Sequence, residues 1–342
     1  MADKMTDGMV YMLILSVASF LFAMFLTPIY TYFAYKHKFW KRQRTTSVTG
    51  EALKVMTKLH AKKFTRRFPT MAGIVGVLAI TTVTVFCNLD RGQTWLILAA
   101  LLGGSAIGLI DDLINVFGSG KGVAGLRSSV KFAMISVLGL MLGWFFYYKL
   151  GWDAVNVPFI GEVPLGIGII PVFAFAVVAT GNAVNISDGL DGLAGGLLSM
   201  AYGAFGVIAL VQGNYGIAGF CFTVIGAMLA YLWFNIYPAR FMMGDVGSFA
   251  YGAGLGVVAM MTDTFFLLPI IGVLFVVEAG SSLIQILSKK FFRRKIFISA
   301  PIHHHLEARG WEETKITMRF WVIGAIAGFI GVVLAFGGGM IK

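Results

Sequence analysis

Charged side chains are scarce in this sequence, because Asp, Glu, Lys and Arg make up only 13% of its 342 residues. A typical soluble domain carries about 25% of these residue types. Hydrophobic residues take their place and reach 58% of the chain. This balance excludes an ordinary soluble globular domain and predicts a protein whose apolar helices cross a lipid bilayer.

Cysteine and acidic residues are also few. The two cysteines, Cys87 and Cys221, lie in apolar segments, which excludes a disulfide framework and leaves no cysteine cluster for zinc. The 27 basic residues outnumber the 16 acidic ones, so the formal net charge is +11. In a membrane protein such an excess indicates cytoplasmic loops, and we expect no nucleic-acid partner.

Long apolar segments occupy most of the chain. Backbone groups in lipid must be hydrogen-bonded internally, so each segment is predicted to be a helix. We predict an all-α polytopic integral membrane protein with about ten transmembrane helices in a single domain over residues 1–342. The predicted segments are Val10–Phe33, Met71–Cys87, Trp95–Ile110, Phe132–Tyr148, Leu165–Thr180, Leu193–Val211, Tyr215–Leu232, Val246–Met261, Phe265–Leu287 and Phe320–Phe336.

Basic residues are distributed unequally between the two sets of alternate loops. One set carries 23 of the 27 basic residues, mostly in 36–67 and 289–319. Cytoplasmic loops of membrane proteins are enriched in Lys and Arg. This asymmetry predicts that both chain termini lie outside the cytoplasm.

Clusters of polar residues follow the third, fifth, seventh and ninth segments, and so share the cytoplasmic side. They are Asp111-Asp112, the stretch 182–192, the stretch 233–245 and the stretch 301–307. A random scatter of polar residues would not favour one side. The distribution therefore predicts an active site at the cytoplasmic face of the membrane.

The stretch 182–192 concentrates two Asn, a Ser and two Asp between apolar runs. If it is helical, Asn185, Asp188 and Asp191 lie near one face and suit a divalent cation or a hydroxyl-rich ligand. The alternative is a polar loop in which an Asp caps the next helix.

Asp111, Asp112 and Asp245 add carboxylates to the same side. Neighbouring helical residues point about 100° apart, so one of the Asp111-Asp112 pair is expected to face the site and the other a base such as Lys131. Glycines flank Asp245 and allow close approach of a ligand. An all-oxygen set of this kind suits Mg²⁺ together with substrate phosphates. The alternative for these residues is a solvated helix end or a helix cap.

His303, His304 and His305 are contiguous, so their side chains diverge and are not expected to grip one metal ion together. Hydrogen bonds to phosphate or sugar oxygens suit them better, and the alternative is a loop that merely contains histidine. Glu278 lies inside the ninth segment, where an ionisable group indicates either a functional role or a helix that extends beyond the membrane.

Together these residues resemble the phospho-N-acetylmuramoyl-pentapeptide transferase family of polyprenyl-phosphate N-acetylhexosamine-1-phosphate transferases. The resemblance covers nearly the whole chain, and the triple His after Pro points to the muramoyl branch. The matching motifs, in chain order, are Pro69-Thr70-Met71, Asp111-Asp112, Gly125-Leu126 with Lys131, 182–192, Trp233-Phe234-Asn235, 243–248 and Pro301-Ile302-His303-His304-His305.

The resemblance implies that UDP-MurNAc-pentapeptide and undecaprenyl phosphate react to give lipid I and UMP, with Mg²⁺, at a bacterial inner membrane. It also implies membrane lipid as a partner, and a homodimer is a further expectation. Asp111, Asp112, Asp245 and His303 are the expected catalytic residues, with Asp245 as metal ligand. The expected substrate-binding residues are Lys63, Arg66, Thr70, Lys131, Asn182, Asn185, Asp188, Asp191, Asn235, Phe241, Met242, His304 and His305.

The chain departs from the family pattern in three places, one of which is Asn115, where the family often has a lysine shortly after Asp-Asp. A family lysine before the Pro69 motif is missing, and Lys63 or Arg66 is expected to replace it. The family's base-stacking Phe falls on Met242, with Phe241 next to it, so either side chain is a candidate for the uracil contact. Alternative functions are a related N-acetylglucosamine-1-phosphate transferase, a lipid or nucleotide transporter, and a prenyltransferase.

Overall fold

A computed structural model describes residues 2–40, 69–118 and 125–341 of the chain. This part is almost entirely helical, as predicted. Its helices are α1 Ala2–Lys36, α2 Gly73–Cys87, α3 Trp95–Phe117, α4 Ser128–Leu150, α5 Ile169–Ser187, α6 Leu193–Val211, α7 Tyr215–Asn235, α8 Asp245–Met261, α9 Leu268–Ile271, α10 Val273–Phe292, α11 Ile302–Ala308 and α12 Glu313–Gly337, with 3₁₀ turns at Gly166–Gly168 and Phe265–Leu267.

Each of the ten predicted apolar segments falls on helix. Among the described residues, seven helices are long and apolar enough to cross a membrane, and α2 and α8 are shorter apolar helices. The predicted continuous span Phe265–Leu287 is wrong, because Phe265–Ile271 and Val273–Phe292 meet at a bend of 80°. Gly272 lies at the break with non-helical ψ, consistent with its low helix propensity. The chain is thus a multi-pass, all-α membrane protein.

A short β-hairpin interrupts the helices between α4 and α5. Strand β1 Ala154–Val157 pairs antiparallel with β2 Gly161–Pro164. Asp263, just after α8, accepts a hydrogen bond from the Asn156 N–H at 2.9 Å. The predicted apolar segments leave this region as a connection between two helices. Strands of four residues are too short to show a recognisable alternation of apolar and polar residues.

Helix α8 lies at the centre of the bundle, where it packs mainly against α3 and α5. All 17 of its residues are buried. Glycines make the close packing possible, since a Cβ on Gly108 of α3 would lie 2.0 Å from the Asp245 carbonyl oxygen. Backbone therefore contacts backbone at the point where α8 begins, which fixes the position of Asp245 relative to α3.

The outer faces of the bundle are apolar. Phe25, Phe86, Phe175 and Phe329 are each more than 60% exposed, and they lie on four different helices. In water such faces would be unfavourable, whereas in hydrocarbon they match their surroundings. Polar side chains are instead buried near the helix ends that form the candidate site.

Candidate active site

Lys131, in the first turn of α4, joins the carboxylates of two other helices. Its Nζ lies 2.9 Å from Asp245 Oδ2 and 3.3 Å from Asp111 Oδ2. Both aspartates are almost fully buried, and the Leu126 N–H donates to Asp111 Oδ1 at 2.5 Å. The ends of α3, α4 and α8 thus bring two carboxylates and one ammonium into a single cluster.

Asp112 has a different role from its neighbour. Its Oδ2 accepts a hydrogen bond at 2.9 Å from the Val246 N–H, in the first turn of α8. The carboxylate therefore caps α8, whose Val246 lies 134 residues later in the chain. The two side chains diverge, as expected from the angle between adjacent helical residues. The expectation that the second one faces a base such as Lys131 is wrong, because Lys131 contacts Asp111 in the charged cluster and Asp112 Oδ2 accepts from the Val246 N–H. The geometry makes Asp112 a residue that positions α8.

The Pro69 motif pairs with the segment before α8. The Ala72 N–H donates to the Met242 carbonyl at 3.0 Å, and the Met242 N–H donates to the Pro69 carbonyl at 2.9 Å. Thr70 lies buried within this pairing, beside the start of α8. The predicted residues Lys63 and Arg66 lie outside the described residues.

Phe241 and Met242 have contrasting surroundings. The Phe241 ring is buried among three aromatic rings, those of Tyr30, Tyr231 and Phe234, with centroids 5.5 to 5.9 Å away. Met242 is partly exposed. Met242 is thus the more accessible of the two residues predicted to contact uracil, and that contact stays a prediction.

Helix α5 ends at Ser187, so the prediction that Asn185, Asp188 and Asp191 share one helical face is wrong beyond that residue. Asp188 is the C-cap, and a turn leads to Gly192, whose φ of 77° suits glycine. Asn185 still lies near the cluster, because its Nδ2 donates to Ser248 Oγ of α8 at 2.8 Å.

Several predicted binding residues form structural hydrogen bonds around this turn. Asp191 Oδ2 accepts from the Ala239 N–H at 3.0 Å. Asn235 Oδ1 accepts from the Gly192 N–H at 2.9 Å, while its Nδ2 donates to the Phe241 carbonyl at 2.8 Å. Asn182 Nδ2 donates to the Val178 carbonyl of its own helix at 2.8 Å. These contacts tie the ends of α5, α6 and α7 together.

The three histidines lie on the short helix α11. His303 Nδ1 is 2.7 Å from Glu278 Oε2 of α10, and His304 Nδ1 is 2.7 Å from Glu307 Oε2. His305 instead accepts from the Ile298 N–H at 3.2 Å and supports the preceding loop. Glu278 was named in the sequence analysis for a possible functional role, but it was not placed among the expected site residues and its partner was not predicted. Its position inside an apolar segment was the available signal.

The comparisons with known proteins agree with this arrangement. A family model described as Glycosyl transferase family 4 matches residues 94–263. A phospho-N-acetylmuramoyl-pentapeptide-transferase of Chloroflexus aggregans is 36% identical, with 97% of this chain and 91% of the relative covered. The chain belongs to the phospho-N-acetylmuramoyl-pentapeptide transferase family.

Other relatives give the same result. The enzyme of that name from Chloroflexus aurantiacus is 37% identical over 97% of this chain and 91% of its own length. The one from Geobacillus sp. strain WCH70 is 36% identical over 94% of this chain and 97% of its own length. The similarity therefore extends over the whole bundle, and the family resemblance seen in the motifs is confirmed.

Mg²⁺ is expected in a transferase of this family, and the side chains of the site can be compared with its usual ligands. Within the described residues, no three His, Cys, Asp or Glu side chains are arranged as a metal-chelating group. Asp111 and Asp245 nevertheless form an adjacent carboxylate pair. Mg²⁺ is usually held by one or two carboxylates together with substrate phosphates and water. The two aspartates suit that mode of binding.

Proposed function

We propose that the protein transfers phospho-MurNAc-pentapeptide from UDP-MurNAc-pentapeptide to undecaprenyl phosphate, giving lipid I and UMP. The observation that carries the proposal is the Lys131 bridge between Asp111 and Asp245, set among the family's motifs. The names of its relatives and the extent of the similarity support the same reaction.

The chemistry requires mainly alignment and neutralisation of charge. The second pKa of a phosphate monoester is about 6, so the lipid phosphate is largely dianionic at neutral pH and already nucleophilic. Lys131 supplies a positive charge beside the reacting groups, and Asp111 orients that charge. Mg²⁺ held by Asp245 and Asp111 would neutralise the diphosphate of the donor. Direct displacement then needs no covalent enzyme intermediate.

The proposed setting is a bacterial inner membrane, with the site facing the cytoplasm. The loops on the side of the site carry most of the basic residues of the chain. A soluble nucleotide sugar and a membrane lipid meet at such a surface. Both termini would lie on the opposite side, and a homodimer stays a prediction.

The test is turnover by the purified full-length protein in detergent with UDP-MurNAc-pentapeptide, undecaprenyl phosphate and Mg²⁺. We expect release of UMP in step with a lipid-linked product, and loss of both with EDTA. Efficient turnover of UDP-GlcNAc alone would favour the related transferase. Release of pyrophosphate would favour a prenyltransferase, and substrate flux across vesicles without UMP would favour a transporter.

A further inference from the structure

Glu278 and His303 form an isolated buried pair. Both residues have 0% exposure, and their contact of 2.7 Å joins α10 to α11 across 25 positions of the sequence. An ionisable pair removed from solvent loses much hydration free energy. Its presence beside the site therefore calls for an explanation beyond packing.

The contact determines which ring nitrogen of His303 remains available. A carboxylate accepts hydrogen bonds, so Glu278 Oε2 favours a proton on Nδ1 of the ring. Nε2 is then the atom left for another partner. Carboxylates orient catalytic and metal-binding histidines in the same way in other proteins.

Nε2 of His303 is aimed at the turn after α5. A Cβ added to Gly189 would lie only 2.4 Å from it, so the ring edge rests directly on the glycine backbone. Nε2 is buried and has no hydrogen-bond partner among the described residues. A buried ring nitrogen without a partner is uncommon in folded proteins. It is explained if a substrate group completes the hydrogen bond.

We propose that Glu278 is a positioning residue that holds His303 with Nδ1 protonated and Nε2 presented to substrate at the Asp188-Gly189 turn. The class of group that Nε2 would meet is a hydroxyl or phosphate oxygen of the nucleotide sugar. His304 has its own carboxylate partner, Glu307, and its ring packs edge-on against that of His303 with the centroids 4.1 Å apart. The kinetic part of this proposal rests on the proposed transferase function.

A double-mutant cycle separates positioning from simple packing. Glu278→Leu keeps a similar volume but removes the acceptor, and His303→Asn removes the ring. Each single variant is expected to lose roughly ten- to a hundredfold in kcat. The double variant should be no worse than His303→Asn, because residues that act as a unit are not additive. Losses that multiply would overturn the proposal.

Glu278→Gln provides the variant most certain to fold. Its amide oxygen still accepts a hydrogen bond from Nδ1–H, so we expect it to recover part of the kcat lost in Glu278→Leu. Full activity of Glu278→Leu, or equal activity of the Gln and Leu variants, would contradict the assignment.

A spectroscopic measurement does not depend on turnover. In protein labelled with ¹⁵N-histidine, the His303 signals are those absent from His303→Asn. We expect a protonated Nδ1 in the unsubstituted protein and loss of that preference in Glu278→Leu. A ring protonated only on Nε2 would refute the proposal. Failure of the protein to release UMP would contradict the proposed function. The ¹⁵N measurement would still determine whether Glu278 positions His303.

Gly189→Ala tests the contact between the His303 ring and the Gly189 backbone. Gly189 does not have a positive φ, so the ring of His303 is the main obstacle to a methyl group. We expect displacement of the ring, a change in its ¹⁵N signals and a kcat loss similar to that of Glu278→Leu. Gly280→Ala is the control, since nothing lies within 4 Å of its added Cβ. Unchanged signals in Gly189→Ala would contradict the geometry.

Discussion

Lys131 is the residue on which the charge balance of the site depends. It neutralises part of the charge of two buried carboxylates, one at 2.9 Å and one at 3.3 Å. Removing one member of a buried cluster leaves an uncompensated charge, which costs more than the pair contributes by itself. Substitutions in this cluster should therefore be conservative in shape if they are to report on chemistry.

Asp245→Asn keeps the shape of the side chain and removes its charge. We expect kcat to fall by roughly a hundredfold or more, because the site loses a carboxylate proposed to hold the Mg²⁺ that would neutralise the diphosphate. Asp263→Asn is a matched control just beyond the other end of α8, where the carboxylate accepts a hydrogen bond from the Asn156 N–H of the hairpin, away from the charged cluster. UMP release measures both. Near-normal turnover with unchanged Mg²⁺ dependence in Asp245→Asn would contradict the assignment.

Met242 and Phe241 should respond differently to alanine. Met242→Ala is expected to weaken inhibition by UMP roughly two- to tenfold, because a thioether contact with a ring contributes about 0.3–1.5 kcal/mol. Phe241→Ala should instead lower the free energy of unfolding by about 3–5 kcal/mol, as the loss of a buried aromatic side chain does. Inhibition constants and thermal unfolding separate these effects. Unchanged UMP inhibition in both variants would remove this segment from the uridine pocket.

At the level of helices, the contact between α3 and α8 decides where the carboxylates lie. Gly104 and Gly108 bring the two backbones together, since added Cβ atoms would lie 2.5 Å from the Phe249 oxygen and 2.0 Å from the Asp245 oxygen. Asp112 then satisfies an N–H in the first turn of α8. The first turn of α8 is held by backbone packing as well as by side-chain hydrogen bonds.

Gly108→Ala should disturb the site without changing any of its functional groups. The added methyl meets backbone atoms that cannot rotate away, so we expect destabilisation of about 1–3 kcal/mol and a marked fall in kcat. Gly103→Ala is the control on the same helix, because its methyl meets the mobile end of the Leu138 side chain. Equal behaviour of the two variants in thermal unfolding and UMP release would contradict the role given to this contact.

The sequence predicted the helices well, because lipid allows few alternatives to an apolar helix. It did not predict the backbone conformation of the longer polar stretches. The Asn185 to Asp191 spacing suited a helix, but the chain turns after Ser187, where Asp188 and Gly189 end α5. The bend at Gly272 was also missed, since composition alone does not distinguish a straight apolar helix from a bent one.

The partners of the site residues were harder to predict than the residues themselves. Asp111, Lys131 and Asp245 were all selected from the sequence, and the structure joins them in one cluster. The pairing of Glu278 with His303 depends on how α10 and α11 pack, which no local pattern encodes. Burial also distinguishes Phe241 from Met242, although the two are adjacent in the chain.

At the level of the whole molecule, the polar clusters and the hairpin lie at opposite ends of the bundle. Helix α8 connects them, beginning at Asp245 in the site and ending beside Asp263, which contacts the hairpin. The two membrane faces of the protein are therefore chemically distinct. This arrangement makes the orientation in the membrane a testable property.

Cys87 provides a natural probe of that orientation. It ends α2 at an exposed position, whereas Cys221 is fully buried. We expect a membrane-impermeant maleimide to label Cys87 in intact spheroplasts, and Cys87→Ser to abolish the labelling. Inverted vesicles should protect it. Labelling in inverted vesicles alone would show that the site faces away from the cytoplasm.

Direct displacement predicts how the complete enzyme behaves without its lipid substrate. Labelled UMP should not exchange into UDP-MurNAc-pentapeptide in lipid-free protein, because no phosphosugar-enzyme forms. The rival mechanism, attack by an Asp carboxylate, requires that exchange. Exchange that persists after removal of lipid and disappears in Asp111→Asn would establish the rival.

The complete burial of α8 also has a consequence for biogenesis. Its 17 residues are buried, and the Val246 N–H in its first turn donates to the carboxylate of Asp112, which is synthesised 134 residues earlier. This apolar helix is shorter than a full span, and in the folded bundle its side chains pack on protein, so much of its stabilisation in the membrane comes from the helices around it. Its stable insertion therefore depends on α3 and α5 already being in the membrane. We therefore expect the translocon to insert α8, the central helix of the folded protein, after part of the bundle has assembled.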